Sequence, residues 1–275
     1  MERLRVGGGL KKKRSINAIG LFLLMMVVMM CQQKEKEGFT IVAHRGASRI
    51  APENTLSAMR KAIEFGADFA ECDVFQTKDG ELVLFHDEEM DRTTGKGGMI
   101  WDYTLAELKT MEVGSWFHEE FRGEPIPTLR EVIRLVKGKI KLNIEVKVSG
   151  KDPDIAQKVV EIIQSEGIEQ DCMVTSFEKP VILKVKEIAP QVITGFIFDE
   201  EHPPDIFEGN WEYVCSKRNI VDEDFVRVAK RKGKKIFVWT VNYPAEMKEL
   251  IALGVDGIIT DVPDLLKEVL DQRNS

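Results

Sequence analysis

From Phe39 onward, short aliphatic β-rich runs alternate with amphipathic helical stretches, and one connection is too short for that pattern. The runs are FTIVAHRG, DFAECDVF, ELVLFHDE, KLNIEVKV, CMVTSFEK, VITGFIFD, EYVCSK, KKIFVWTV and DGIITDVP. Between most of them lie stretches such as NTLSAMRKAIEFG, PDIAQKVVEIIQSEG and DEDFVRVAKRKG. Apolar strands alternating with helices specify a parallel sheet covered by helices. Nine runs are one too many for an eightfold barrel. DFAECDVF and ELVLFHD, however, are joined only by QTKDG, and a parallel crossover needs roughly a dozen residues. These two therefore pair antiparallel through a turn at Asp79-Gly80. LVLFHD becomes an arm folding back at the mouth of the sheet, and eight parallel strands remain. The expected fold is α/β, a (β/α)8 TIM barrel, which usually takes roughly 250 residues. A doubly wound open sheet is the other arrangement, but no GxGxxG follows the first strand.

Residues from Asp91 to about Pro127 interrupt the alternation with glycines, aromatics and one short helical piece, LAELKTM. This stretch reads as an insertion at the barrel mouth, placed to cap a pocket. PTLREVIRLVKG then restarts the helix layer.

The first 37 residues read as an address and the body as residues 38–275. A basic stretch with Lys11, Lys12, Lys13 and Arg14 precedes INAIGLFLLMMVVMMC, and the charged QQKEKEG follows. That is the order of an export signal. Cys31 closes the apolar run in the manner of a lipidated cysteine. Met29 and Met30 stand where lipoprotein signals carry small residues, so an uncleaved anchor is the alternative. Either way, the basic flank keeps the N-terminal side in the cytoplasm and puts the body outside it. With Lys+Arg 39 against Asp+Glu 46 and a net charge of -7, nothing favours a nucleic-acid partner. Cys72, Cys172 and Cys215 sit in apolar runs without metal-type spacing and read as buried thiols.

Polar groups gather at the strand ends. The first run ends in His44-Arg45-Gly46, the second carries Glu71 and Asp73, its arm ends in His86-Asp87, and KLNIEVKV carries Glu145 and Lys147. Barrel active sites lie at this C-terminal rim. Glu71 and Asp73 share a face at period two, as do Glu145 and Lys147. Buried carboxylates converging from two strands repel unless a cation lies among them, and oxygen ligands suit Mg2+ or Ca2+. Glu71, Asp73 and Glu145 are thus the expected metal ligands. His44 and His86 flank the same opening, where two imidazoles can exchange protons near neutral pH. Arg45 and Lys147 are the matching anion clamps. The combination suits phosphodiester chemistry. His118, in the insertion, and His202, in a proline-rich loop, read as non-catalytic.

The stretch AHRGASRIAPENTLSAMRKAIEFGADFAECDVFQTKDGELVLFHDEEMDRTTGKG resembles the N-terminal signature of glycerophosphodiester phosphodiesterases. IPTLREV, NIEVK, VWTVN and GVDGIITDVPD are similar to later family motifs and occur in the family's order, so the resemblance runs from about Phe39 to Leu270. It implies a TIM barrel with a small insertion. It also implies catalytic roles for His44 and His86, metal ligation by Glu71, Asp73 and Glu145, and phosphate contacts from Arg45 and Lys147. Glu53, in the PENT segment, is implied close to the site, and Trp239 facing the pocket. Pro52 and Asn54 read physically as a helix start and its cap. The implied reaction splits a glycerophosphodiester into sn-glycerol 3-phosphate and an alcohol, with His44 as base and His86 as acid. A lysophospholipase D-like activity on lysolipids is the alternative. It would call for an apolar mouth lined by Trp101, Trp116, Phe117 and Phe121. A binding protein without turnover would have lost a ligand or histidine, and none is missing.

Overall fold

The computed structural model of the chain describes residues 38–152, 154–199 and 205–274. The expected signal or anchor segment with Cys31, and His202, lie outside the described residues. In chain order the first elements are β1 (Thr40–Ala43), α1 (Leu56–Phe65), β2 (Phe69–Gln76) and β3 (Leu82–Leu84). The insertion holds the short helices α2 (Asp91–Thr94) and α3 (Leu105–Leu108), and α4 (Leu129–Val136) and β4 (Lys141–Val146) follow it. Then come α5 (Ile155–Glu166), β5 (Cys172–Ser176), α6 (Lys179–Ile188), β6 (Ile193–Phe198) and β7 (Tyr213–Lys217). The last are α7 (Glu223–Arg231), β8 (Lys235–Trp239), α8 (Pro244–Leu253), β9 (Gly257–Thr260) and α9 (Pro263–Asn274).

Eight strands pair in parallel, in the order β1-β9-β8-β7-β6-β5-β4-β2, and β1 also pairs with β2 to close the barrel. The ninth, β3, folds back antiparallel on β2, with Val74 opposite Leu84 and Gln76 opposite Leu82. The turn between them leans on Gly80 at φ +87°, a conformation that side chains with a Cβ resist. The short QTKDG connection thus does what its length demands.

Strand alternation sorts side chains into two cores. Ala70, Cys72 and Val74 of β2 point outward and join helix residues such as Met59, Leu129 and Val159 in the layer between sheet and helices. Val42, Phe69, Met173, Tyr213 and Phe237 fill the barrel interior. Gly257 is small because Phe237 needs the space, since a Cβ there would lie 2.7 Å from the Phe237 ring. Two of the outer helices start at side-chain caps. Thr128 and Glu131 form a reciprocal capping box on α4, and Asp222 accepts from the Phe225 amide on α7.

The insertion has more structure than its sequence suggested. The expected helical piece is the single turn α3, and α2 and two 3-10 turns (Ile100–Asp102 and Glu119–Phe121) accompany it. Met90, Ile100, Leu108, Val113 and Ile126 pack with Phe75, Val83 and Phe85 of the β2–β3 arm into a third apolar core. Among the described residues, no helix is long and apolar enough to cross a membrane.

Candidate active site

Two neighbouring strands present the acidic cluster. In the β2–β4 register Glu71 lies opposite Asn143 and Asp73 opposite Glu145, so all three carboxylates point to the interior at the C-terminal end of the barrel. Their ligand oxygens lie within 4.8 Å of one another. Glu71 and Asp73 are almost wholly buried, at 2% and 1% exposure.

The three acids are not equivalent. Burial, then the charges of Asp73 and Glu145, push the Glu71 carboxyl well above the usual range. Its Oε2 accepts from the Arg45 backbone amide at 2.6 Å, whereas its Oε1 is buried without a hydrogen-bond partner. Burial raises Asp73 as well, but Lys147 and Arg45 outweigh it and hold that carboxyl far below its usual range. Lys147 Nζ lies 3.1 Å from Asp73 Oδ1 and also pairs with Glu145. Burial, joined by the charge of Asp73, raises the Glu145 carboxyl despite the opposing pull of Lys147. Oxygen donors, excess negative charge and an orphaned buried carboxylate oxygen fit a hard divalent cation. The cluster can therefore hold a metal ion.

The β1–α1 loop supplies the cationic side. Arg45 takes a left-handed backbone (φ +53°), which aims its amide at Glu71. Gly46 follows at φ +78°, where a Cβ would meet the Ala58 backbone at 2.6 Å, so the loop lies directly on α1. The Arg45 guanidinium reaches Glu53 at 2.9 Å and Asp73 at 3.3 Å. Asn54, expected as a helix cap, does something else. Thr55 caps α1, while Asn54 donates from Nδ2 to Asp73 Oδ2 (2.8 Å) and accepts from the Asp73 amide (3.0 Å).

Each histidine is held by a carboxylate. His44 Nδ1 lies 2.7 Å from Asp261 Oδ1, and His86 Nδ1 lies 2.6 Å from Asp87 Oδ1. An ionised carboxylate only accepts, so Nδ1 carries the proton and Nε2 is left for chemistry. Burial opposes the charge on Asp261, but His44, Asn242 and Ser48 together hold its carboxyl down at about 2. Asp87 is likewise held below its usual range, because hydrogen bonds from Arg92 and His86 exceed the cost of its burial.

His44, Arg45, Glu71, Asp73, His86, Glu145 and Lys147 line one cavity of about 220 Å³, with Trp239 and Phe177 as apolar wall. Those two rings meet edge to face at 5.8 Å, and the Trp239 indole donates to the Cys215 carbonyl. Of the residues expected in the site, Glu53 alone does not line this cavity. It stands behind Arg45, between that guanidinium and Arg92. The insertion aromatics Trp101, Trp116, Phe117 and Phe121 do not line it either. Trp101 packs on Phe75, and Phe117 sits between Trp116 and Phe121. His118 is exposed on the insertion, away from the cavity.

Sequence reading missed Asp261, Asn242, Arg92 and Phe177. Asp261 directly follows the apolar part of the run DGIITDVP, so the strand-end rule that found His44 applied to it equally. Arg92 carries no local signal, because its partners Glu53 and Asp87 come from two other loops.

Comparison with known proteins agrees with this geometry. The glycerophosphoryl diester phosphodiesterase family model matches residues 44–265. A glycerophosphodiester phosphodiesterase of Caldanaerobacter subterraneus subsp. tengcongensis is 40% identical over 233 residues, covering 82% of this chain and 95% of that protein. Among solved structures, an Oleispira antarctica phosphodiesterase in complex with the product sn-glycerol-3-phosphate matches with a TM-score of 0.80 at 30% identity. That match covers 84% of this chain and 96% of the other. A glycerophosphodiester phosphodiesterase of Thermotoga maritima matches with a TM-score of 0.70 at 30% identity, over 84% of this chain and 98% of that one. The matched span contains every histidine, basic and acidic side chain gathered around the cavity, and the chain belongs to the glycerophosphoryl diester phosphodiesterase family.

Proposed function

We propose that this phosphoric diester hydrolase splits glycerophosphodiesters into sn-glycerol 3-phosphate and an alcohol, with a divalent cation at Glu71, Asp73 and Glu145. One observation carries the reading. Two carboxylate-held histidines, a guanidinium, an ammonium and three converging carboxylates line a single cavity. Glu71, Asp73 and Glu145 would hold a Mg2+ or Ca2+ ion, which would supply positive charge against the phosphoryl oxygens. Arg45 and Lys147 bind the same oxygens from the protein side and orient the diester. His44, kept by Asp261 with Nε2 free to accept, takes the proton of the attacking oxygen, whether of water or of the glycerol 2-hydroxyl. His86, kept by Asp87 through Nδ1, acts in its imidazolium form and gives the Nε2 proton to the departing alcohol, which leaves the ring neutral.

The small head-group diester is the better supported substrate. A lysolipid reading called for a mouth built of Trp101, Trp116, Phe117 and Phe121, and these side chains lie elsewhere. Stripping the chain with EDTA and following glycerol 3-phosphate release from glycerophosphocholine tests the proposal. Release should vanish and return with Mg2+ or Ca2+. Turnover indifferent to EDTA would overturn the cation requirement, and no turnover under any condition would overturn the substrate.

The basic and apolar N-terminal sequence supports a further part of this proposal: attachment to a membrane, with the barrel on the extracytoplasmic side. Sedimentation with membranes for the full chain, and its loss for a chain starting at Phe39, tests that placement. Equal solubility of both chains would reject it.

A further inference from the structure

One guanidinium ties the insertion to both sides of the catalytic centre. Arg92 lies in α2, and its Nε donates to Asp87 Oδ2 at 2.5 Å. Its Nη1 and Nη2 grip Glu53 as a fork, at 2.9 and 2.7 Å. Each of these carboxylates has its second partner in the site. Asp87 holds the His86 imidazole and Glu53 holds the Arg45 guanidinium. The Trp116 ring packs against Arg92, 5.4 Å from centroid to guanidinium carbon. Arg92 itself does not line the catalytic cavity.

We propose that Arg92 is a positioning residue that fixes His86 and Arg45 in one geometry, so that proton donor and phosphoryl clamp meet the same diester. The proposal rests on the hydrolase reading above. Its chemistry follows from the shape of the group. A planar guanidinium offers donors at set angles and can serve two carboxylates at once, which an ammonium on a flexible stem cannot do with the same precision. Glu53 and Asp87 belong to separate loops, and Arg92 is the cation they share. Without it the two acids repel, Asp87 is free to turn, and the His86 ring loses its fixed orientation. The Arg92 side chain is 41% exposed, and ion pairs so exposed contribute little to stability. Its effect should therefore appear in catalysis rather than in folding.

The test uses the full chain with its cation and two substrates, glycerophosphocholine and the p-nitrophenyl ester of glycerol phosphate. The second has a leaving group that departs without a proton. Arg92→Met should lower kcat on glycerophosphocholine by about 10–100-fold, part of the range spanned by general acid catalysis. It should raise KM several-fold through Arg45, yet cost the aryl ester about tenfold less in kcat. Cation affinity and melting temperature should stay near wild type, and Arg92→Lys should recover only part of the loss. Glu53→Gln keeps the Asp87 arm, so it should raise KM while leaving the difference between the two substrates close to wild type.

Activity of Arg92→Met within about twofold of wild type on both substrates would overturn the proposal. So would equal losses on both, with a lowered melting temperature fully restored by lysine, since that pattern belongs to a purely structural charge. A Glu53→Gln enzyme with the leaving-group defect of Arg92→Met would refute the division into two arms. Failure of the hydrolase reading looks different, because the wild-type chain would then turn over neither substrate.

Discussion

Glu71→Gln removes one charge from the acidic cluster while keeping the side chain's volume, and the structure sets what should follow. Glu71 is nearly fully buried, and its oxygens lie within 4.8 Å of those of Asp73 and Glu145. At an effective dielectric constant of about 20, two like charges at that separation or closer repel by about 3 kcal/mol or more. The Arg45 amide and guanidinium, and the pairing of Asp73 with Lys147, offset most of the repulsion from the two neighbours. A net release of about 1–3 kcal/mol is the expectation for EDTA-treated protein at pH 8, relative to wild type. Since each kcal/mol moves Tm by roughly 2–4 °C in a domain of this size, the variant should melt about 2–12 °C higher. The sign depends on pH. The folded carboxyl titrates above its unfolded value near 4.3. Stability due to a neutral Glu71 is therefore complete below about pH 4 and is lost as pH rises toward the raised folded value. Glutamine cannot ionise, so its advantage should grow from pH 4 to pH 8. Thermal melts of both proteins across that range, with and without excess Mg2+ or Ca2+, provide the assay. The cation should raise the wild-type Tm and leave the variant nearly unmoved. A variant less stable than wild type at pH 8 in EDTA, or one still stabilised by the cation, would refute the reasoning.

Two further outcomes are expected. His86→Ala should keep cation affinity while slowing esters of poor leaving alcohols far more than an activated aryl ester, as paired kinetics on the two substrates would show. Equal losses on both would exclude His86 as the acid. Asp261→Asn should destabilise by about 1–2 kcal/mol at pH 7, a figure reduced for the partial exposure of the pair. Because the folded Asp261 carboxyl is depressed to about 2, its stabilisation exists above the unfolded value near 3.9 and fades as pH falls toward 2. Urea unfolding at pH 7 and at pH 3 should therefore show a smaller difference between variant and wild type at the lower pH. A constant difference would contradict that linkage.

Much of the architecture is local and so was legible in the sequence. Burial periodicity and the length of QTKDG decide which runs are parallel strands and which is the arm, because a crossover has a minimum length that five residues cannot meet. Strand period puts Glu71 and Asp73 on one face of β2 and sends Cys72 to the other. With that face buried, the capacity of the cluster to hold a cation follows from the residue types alone. Tertiary structure decided who holds these groups in place. Asp261 reaches His44 across 217 residues because β9 closes the barrel against β1. Asn54 abandons the helix end for Asp73, and Thr55 takes over as cap. The insertion aromatics turn away from the cavity, since packing on one another and beside the β2–β3 arm keeps their rings partly out of water. Periodicity reports how a residue meets its immediate surroundings. Barrel closure and loop packing choose partners distant in the chain, and those long-range hydrogen bonds and charges fix the His44 tautomer and shift the carboxyls of the cluster.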